Sequence, residues 1–370
     1  MVVRVYLKQA WNLMKQNPLF STLYIVGTGI SIVMTMVIAI VYYVRLAPVY
    51  PETNRMRTLV VKSAKMTNDE STHSANISYA MLKDWFYSLE SAEVSTGVSG
   101  TSYARVTNDK EEIPTYARYT DENFFRVFPL VFLEGKPFTE ADRRSGIHNV
   151  VLTDSYAQQL FGTTKGVVGK NFLMDYTNVK VVGVVKSGSF LTPDSYAQVY
   201  LPYSCRDGYD DEGSHWALGG YRVYILMKES KSVTDVQDEV LELIRKFNVS
   251  DMGDGWKLDL VGQPELYWHS TFRLWSNVAV DWGRVIWMFV GIFMVLLFVP
   301  AFNLSGMISA RMERQLPDLG IRKAFGASRR RLLVQIIWEN LLLTGLGTLL
   351  GLVIAWIVLA LSGYEIFSLF

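Results

Sequence analysis

The chain has 370 residues, with 36 basic and 35 acidic side chains, 50% apolar residues and 19% charged ones. A net charge of +1 argues against nucleic acid as the main partner, and the low charged content fits a chain that lies partly in lipid. The single cysteine, Cys205, excludes an internal disulfide and a zinc site built from several cysteines, and His73, His148, His215 and His269 are too dispersed for ligand spacing.

Residues 1–16 carry Arg4, Lys8 and Lys15 and no acid, with Val3, Leu7, Ala10, Trp11 and Met14 at helical spacing. This predicts an amphipathic helix in the inner interface, or a simple extension of the next helix. Asn17-Pro18 breaks the pattern. Leu19 to Val44 is uncharged, too long for a signal peptide and followed by no small-x-small cleavage site. It predicts an uncleaved first span within 17–44, entering from the cytoplasm, where Gly27 and Gly29 allow close approach of another helix.

Residues 45–284 contain no apolar run of span length and hold 26 basic against 31 acidic residues. The basic flanks place this region outside the cytoplasm. Its pattern is α+β. A strand is expected at 57–62, and a helix capped by Ser78 and running to Leu89. Strands at 101–106 and 113–119 are joined by a turn at Asn108-Asp109-Lys110. Further strands are expected at 150–152, 179–185, 198–201 and 221–227. Helices are expected from Thr153 or Asp154 to Phe161-Gly162 and from Val233 to Phe247. Trp268, Phe272 and Trp275 recur at helical spacing and predict a stalk leading into the second span.

Two long apolar runs follow, 285–310 and 332–361. Pro300 is expected to kink the first of them. In the last, Gly347 and Gly351 form a G-x-x-x-G face for helix packing, and Glu339 lies two turns in, where a carboxylate calls for a partner or for snorkelling. Between the runs, residues 311–331 hold seven basic and two acidic residues, which marks a short cytoplasmic connection. Gly320 and Gly326 bracket Ile321 to Phe325, predicting either a positive-inside loop and nothing more or a short docking helix that starts at Pro317 and ends at Gly326, with Ser328 capping the next helix. Arg329, Arg330 and Arg331 then oppose the helix dipole, so they serve topology, lipid or a partner rather than local stability.

Asp318-Leu319-Gly320-Ile321-Arg322-Lys323-Ala324-Phe325-Gly326-Ala327-Ser328 resembles the coupling phrase of the FtsX/MacB-like ABC transporter permeases. Asn303-Leu304-Ser305 and the Gln335, Glu339, Asn340-Leu341-Leu342 series resemble the flanking steps of the same family. Asp121–Phe128, Phe132–Thr139, Leu152–Gly162 and Gly169–Phe172 are similar to phrases of its extracytoplasmic core domain. The resemblance implies a membrane protein with four spans, of which three fall in this chain, and a large extracytoplasmic α+β domain between the first and second. The expected layout is a helix at 1–16, a span at 17–44 and a core domain at 45–276 with a β-rich insertion near 163–217. A stalk and second span at 277–310, a coupling segment at 311–331, a third span at 332–361 and a tail at 362–370 follow.

The resemblance further implies that Asp318 to Ser328 contact a separate ABC ATPase, which holds ATP and Mg, so that this chain binds no cofactor or metal and is not itself an enzyme. A second permease copy or homologue, the membrane, and a periplasmic adaptor or outer-membrane channel are the other implied partners, in the bacterial inner membrane. Pro317-Asp318 departs from the family's usual charged residue followed by Glu. Gly162 to Lys170 lacks phosphate-loop spacing, and Leu361-Ser362-Gly363 sits at a membrane edge, so neither predicts ATP binding. Three readings stand: export driven by motion passed across the membrane, activation of a cell-wall hydrolase without transport, and a membrane-anchored sensor.

Overall fold

The computed structural model describes residues 18–100, 102–108, 111–210, 216–250, 255–326 and 328–361, with Trp11 and Lys15. At 20, 107–108, 111, 299–300, 302–304, 306–312, 314–315, 318–319, 322, 331, 335, 339 and 359–361 only the backbone is described. The helix expected at 1–16 and the tail at 362–370 therefore lie outside the described residues, apart from Trp11 and Lys15.

The chain forms two compact units, one of residues 1–43 and 282–364 and one built on residues 44–281. The membrane-type unit holds α1 (Pro18–Leu46, whose last turn belongs to the outer unit), with α7 (Trp282–Ala324) and α8 (Arg329–Leu361) closing the chain. Among the described residues, 21–46 and 332–358 are long and apolar enough to cross a bilayer, while the apolar part of α7 covers Trp282–Phe298.

The outer unit contains two lobes. The first is an open sheet of β1 (Thr58–Val61), β2 (Ala64–Thr67), β3 (Thr72–Ile77) and β4 (Ala92–Ser99) with four later strands. Between β3 and β4, α2 (Tyr79–Asp84) begins where Ser78 Oγ accepts the Met81 N–H at 3.0 Å. The expected helix to Leu89 is shorter, because a 3₁₀ turn at Phe86–Ser88 replaces its second half.

The chain then leaves for the second lobe. Its first strands are β5 (Ser102–Asn108) and β6 (Glu111–Thr120). Next come α3 (Phe124–Val127), β7 (Phe132–Gly135), α4 (Glu140–Arg144) and β8 (Asn149–Thr153). The lobe ends with α5 (Asp154–Phe161), β9 (Asn171–Met174), β10 (Thr177–Val185) and β11 (Val199–Pro202).

The remaining elements return to the first lobe: β12 (Leu218–Gly219), β13 (Tyr221–Met227), α6 (Val233–Val249), β14 (Lys257–Asp259) and β15 (Glu265–Leu266). The first sheet runs β14-β2-β3-β13-β1-β15, with β12 on β3 and β4 on β13. The second runs β7-β10-β8-β11-β6-β5-β9, and β9 also pairs β10, so six of its strands close into a ring. Closure removes the exposed edges an open sheet would leave. This lobe spans 102–202, wider than the insertion expected at 163–217. The reason is that β5 and β6 are needed to complete the ring.

Three apolar clusters hold the unit together. Leu59, Val61, Val223 and Ile225 point to α2 and α6, where Met81, Leu82, Val236 and Val240 meet them. The alternate residues Val60, Tyr224 and Leu226 point the other way, onto Phe124, Phe128, Val151 and Tyr200 of the second lobe. The third cluster fills the ring with Val106, Val181 and Val199 and lays Tyr156 and Leu160 of α5 against it. Strands β1 and β13 are thus buried on both faces, and the second cluster is shared by the two lobes.

Polar groups finish the junction. Asp121, at the end of β6, accepts from Tyr87 (2.5 Å), Thr96 (2.7 Å) and the Gly97 N–H (2.9 Å) of the first lobe. Burial pushes its carboxyl up to about 6 against the pull of those bonds. Asp194 meets Arg222 at 3.1 Å and Lys62 at 3.8 Å. Burial works against its charge, but Lys62, Arg222 and Arg118 together hold the carboxyl at about 2.

The stalk expected from Trp268 is replaced by a 3₁₀ turn at His269–Phe272 and an irregular stretch, and helix resumes only at Trp282. Arg273 turns inward to Glu265 at 2.7 Å, which takes the chain out of helical phase.

Candidate functional site

The basic elbow between the last two helices does not fold as a separate docking helix. Helix α7 runs for 43 residues from Trp282 through Ala324, passing Pro300 and Pro317 without a break. At ~1.5 Å per residue it is ~65 Å long. Within lipid a broken helix would leave backbone groups unsatisfied, which favours continuation through Pro300. Pro317 and Gly320 are likewise carried inside the helix, so Pro317 is not a helix start. The short phrase Ile321 to Ala324 is the last turn of a long helix, and Phe325 follows it.

That turn ends as Gly326 predicts. The Phe325 N–H reaches the Ile321 carbonyl at 3.0 Å, and the Gly326 N–H reaches Lys323 at 3.0 Å. Gly326 has φ +89°, a left-handed conformation that costs any other common residue strain. Helix α8 starts one residue after Ser328, whose carbonyl accepts the Leu332 N–H at 3.2 Å.

Two large apolar side chains stand out of this end. Ile321 is 57% exposed and Phe325 89% exposed. Phe325 lies one residue past the helix, but the bond from its N–H to the Ile321 carbonyl keeps the helical spacing of four, so the two stand on one side. Lys323, Ala324 and Ser328 are exposed beside them. The elbow therefore presents an apolar tip in a basic setting, a surface suited to seat in a groove of another protein. The side chains of Asp318, Arg322, Ala327, Pro300, Asn303 and Glu339 lie outside the described residues. Backbone places Asp318, Arg322, Pro300 and Asn303 on α7 and Glu339 on α8.

A second arrangement joins α1 to α8. A Cβ built on Gly347 would sit 2.7 Å from Thr28 Cβ and 3.0 Å from the Ile25 carbonyl. One built on Gly351 would sit 2.7 Å from the Gly29 carbonyl and 3.0 Å from Ile32 Cβ. Gly29, Gly347 and Gly351 thus meet backbone to backbone, the geometry small residues permit in lipid. Tyr24 OH and Thr344 Oγ1 bond across the same seam at 2.9 Å. Tyr42 and Phe289 bring α1 and α7 to a ring separation of 5.1 Å. No group of His, Cys, Asp or Glu among the described residues is arranged to hold a metal ion.

Apolar helices of spanning length, an exposed basic elbow and a large α+β domain inserted after the first helix define a membrane permease. Residues 20–243 match the MacB-like periplasmic core domain, and residues 277–370 match the FtsX-like permease C-terminal domain. The chain belongs to this ABC transporter permease family, and it is a membrane protein with a periplasmic domain. It is 22% identical over 268 residues to the macrolide export ATP-binding/permease protein MacB of Escherichia coli O157:H7, covering 71% of this chain and 39% of that protein. It is 25% identical over 237 residues to the pyoverdine export ATP-binding/permease protein PvdT of Pseudomonas entomophila, covering 62% and 34%. The chain therefore spans about two fifths or less of the length of these relatives, whose names join ATP binding and permease in one protein. Among solved structures, the periplasmic region of MacB from Actinobacillus actinomycetemcomitans aligns at a TM-score of 0.38 with 16% identity, over 54% of this chain and 88% of that one.

Proposed function

We propose that this chain is the permease subunit of a bacterial inner-membrane ABC transporter, with ATP hydrolysed on a separate subunit that docks on Asp318 to Ser328. The ATPase displaces the elbow, and α7 carries that displacement as one rod toward the periplasmic domain. The domain then moves a substrate that is already outside the inner membrane. The relatives' names give macrolides and pyoverdine as cargo for those proteins. Export of peptide, macrolide or lipoprotein-like compounds fits this chain equally.

The observation that carries the reading is the position of Phe325 and Ile321. They form an exposed apolar tip at the end of an unbroken 43-residue helix, Phe325 lying one residue past its last. The test is co-purification of the chain from native membranes with its ATPase. Phe325→Asp is expected to lower the bound ATPase at least tenfold, with membrane insertion unchanged. Undiminished association would refute the docking site.

A further inference from the structure

The first lobe of the outer unit carries an open cleft. It lies between the end of α2, the last turn of α6 and the segment leading into β12. It encloses about 590 Å³ and is lined by Trp85, Trp216, Leu243, Lys246, Phe247 and Ser250. That volume falls within the ~300–1,000 Å³ of small-molecule sites, which are mainly apolar with a few placed polar groups.

Each wall of the cleft is anchored by the fold. Trp85 closes α2, its N–H donating to the Met81 carbonyl at 3.1 Å, and its side chain is buried. Trp216 precedes Ala217, whose carbonyl accepts the Ser78 N–H at 3.1 Å, so the residue that caps α2 also places Trp216. On α6, Leu243 and Phe247 are four residues apart and share a face. Ser250 lies one residue past the helix, but its N–H still reaches the Lys246 carbonyl at 3.0 Å. Its Oγ donates to the Phe247 carbonyl at 2.8 Å. Asn248 fixes this turn to β14: its side chain donates to the Leu258 carbonyl at 2.9 Å and accepts the Leu258 N–H at 2.7 Å.

Three rings meet at the cleft. Trp216 stacks on Phe247 with centroids 5.5 Å apart and 24° between the planes. Trp85 stands 5.6 Å from Trp216 and meets Phe247 edge-on at 5.9 Å. A wall of this kind favours a flat aromatic guest, which can stack on the rings or meet them by its edge. Among the lining residues the one charge is Lys246. Its Nζ is 3.9 Å from Glu242, beyond hydrogen-bond reach, and Glu242 also faces Arg245 at 3.8 Å. Two cations against one carboxylate leave this side of the cleft positive, which suits an anion.

We infer that the cleft binds a flat aromatic compound carrying an acidic group, with its ring against Trp216 and Phe247 and its acid at Lys246. The inference concerns binding by the outer unit and does not rest on the transport reading.

The test is calorimetric titration of naphthalene sulfonate into the full chain in lipid nanodiscs, with the heat of empty nanodiscs subtracted. One saturable site is expected. Octane sulfonate, which keeps the acid and lacks the ring, should bind at least fivefold more weakly. Trp216→Ala should weaken naphthalene sulfonate at least tenfold. Trp216 also packs on the core of the lobe, so Ser250→Phe supplies a second variant that fills the cleft from an exposed position, with the same effect expected. Lys246→Gln should weaken naphthalene sulfonate at least threefold and leave neutral naphthol within twofold. Lys231→Gln, which does not line the cleft, should change neither.

No saturable binding, equal affinity for octane sulfonate, or undiminished binding in Ser250→Phe would overturn the site. Naphthalene sulfonate bound as tightly by Lys246→Gln as by the unaltered chain would overturn the acidic class of ligand.

Discussion

Replacing Gly351 by Ala isolates the close contact between α1 and α8. The added Cβ would stand 2.7 Å from the Gly29 carbonyl oxygen and 3.0 Å from Ile32 Cβ, where ordinary contact begins at 3.4 Å. The first of these is a backbone atom and cannot swing away, so the helices must separate by several tenths of an ångström. Overpacking of this kind costs about 1–3 kcal/mol. Ala also gains up to about 1 kcal/mol over Gly as a helix residue, which masks part of the loss.

Gly345→Ala supplies the control, since a Cβ at Gly345 meets nothing within 4 Å and gains the same helix preference. The difference between the two variants is therefore the clash itself, about 1–3 kcal/mol. The assay is the midpoint of SDS-driven unfolding of the full chain in mixed micelles. Gly351→Ala should unfold at lower SDS than Gly345→Ala, and the Tyr24–Thr344 bond should weaken with it. Coincident midpoints would refute the backbone-to-backbone seam.

Asp194 gives a pH-dependent term of definite sign. Its carboxyl is held at about 2 against an ordinary 3.8, so the folded state binds its proton more weakly than the unfolded chain does. That contributes about 2.5 kcal/mol, fully present above pH ~4 and lost as the pH falls toward 2. Denaturant melts from pH 5 to 2 should show this loss in the unaltered protein and not in Asp194→Asn. Ser78→Ala removes the bond from the Met81 N–H and should cost about 1 kcal/mol, read as a shifted urea midpoint. Ser232 heads α6 with a reciprocal capping box to Asp235. Ser232→Ala should cost a similar ~1 kcal/mol, while Ser232→Thr should stay near the parent value.

The sequence by itself determined what is local. An uncharged run at 19–44 and a run at 332–361 with Glu339 as its one charge mark two membrane helices, because lipid admits charge only at a cost and requires length. Ser78, Gly162 and Gly326 mark helix ends because a cap needs a side-chain acceptor or a left-handed backbone, and both are written in single residues. The basic elbow is legible for the same reason.

Tertiary structure decided the rest. Whether Pro317 starts a helix or is carried inside one depends on what precedes it, and α7 carries it. Strand β4 shows little alternation, because nearly all its residues are buried, on both faces of the sheet. Strands β14 and β15 have three and two residues and exist only because β2 and β1 lie beside them. The ring closes through β9 meeting β5, about 65 residues earlier in the chain. The hydrogen bonds from Ser195 to Glu52 and from Ser63 to the Ser276 carbonyl join residues 143 and 213 apart. No periodic pattern encodes such pairs, since a buried polar group is satisfied by whichever partner folding brings within reach, however distant it is along the chain.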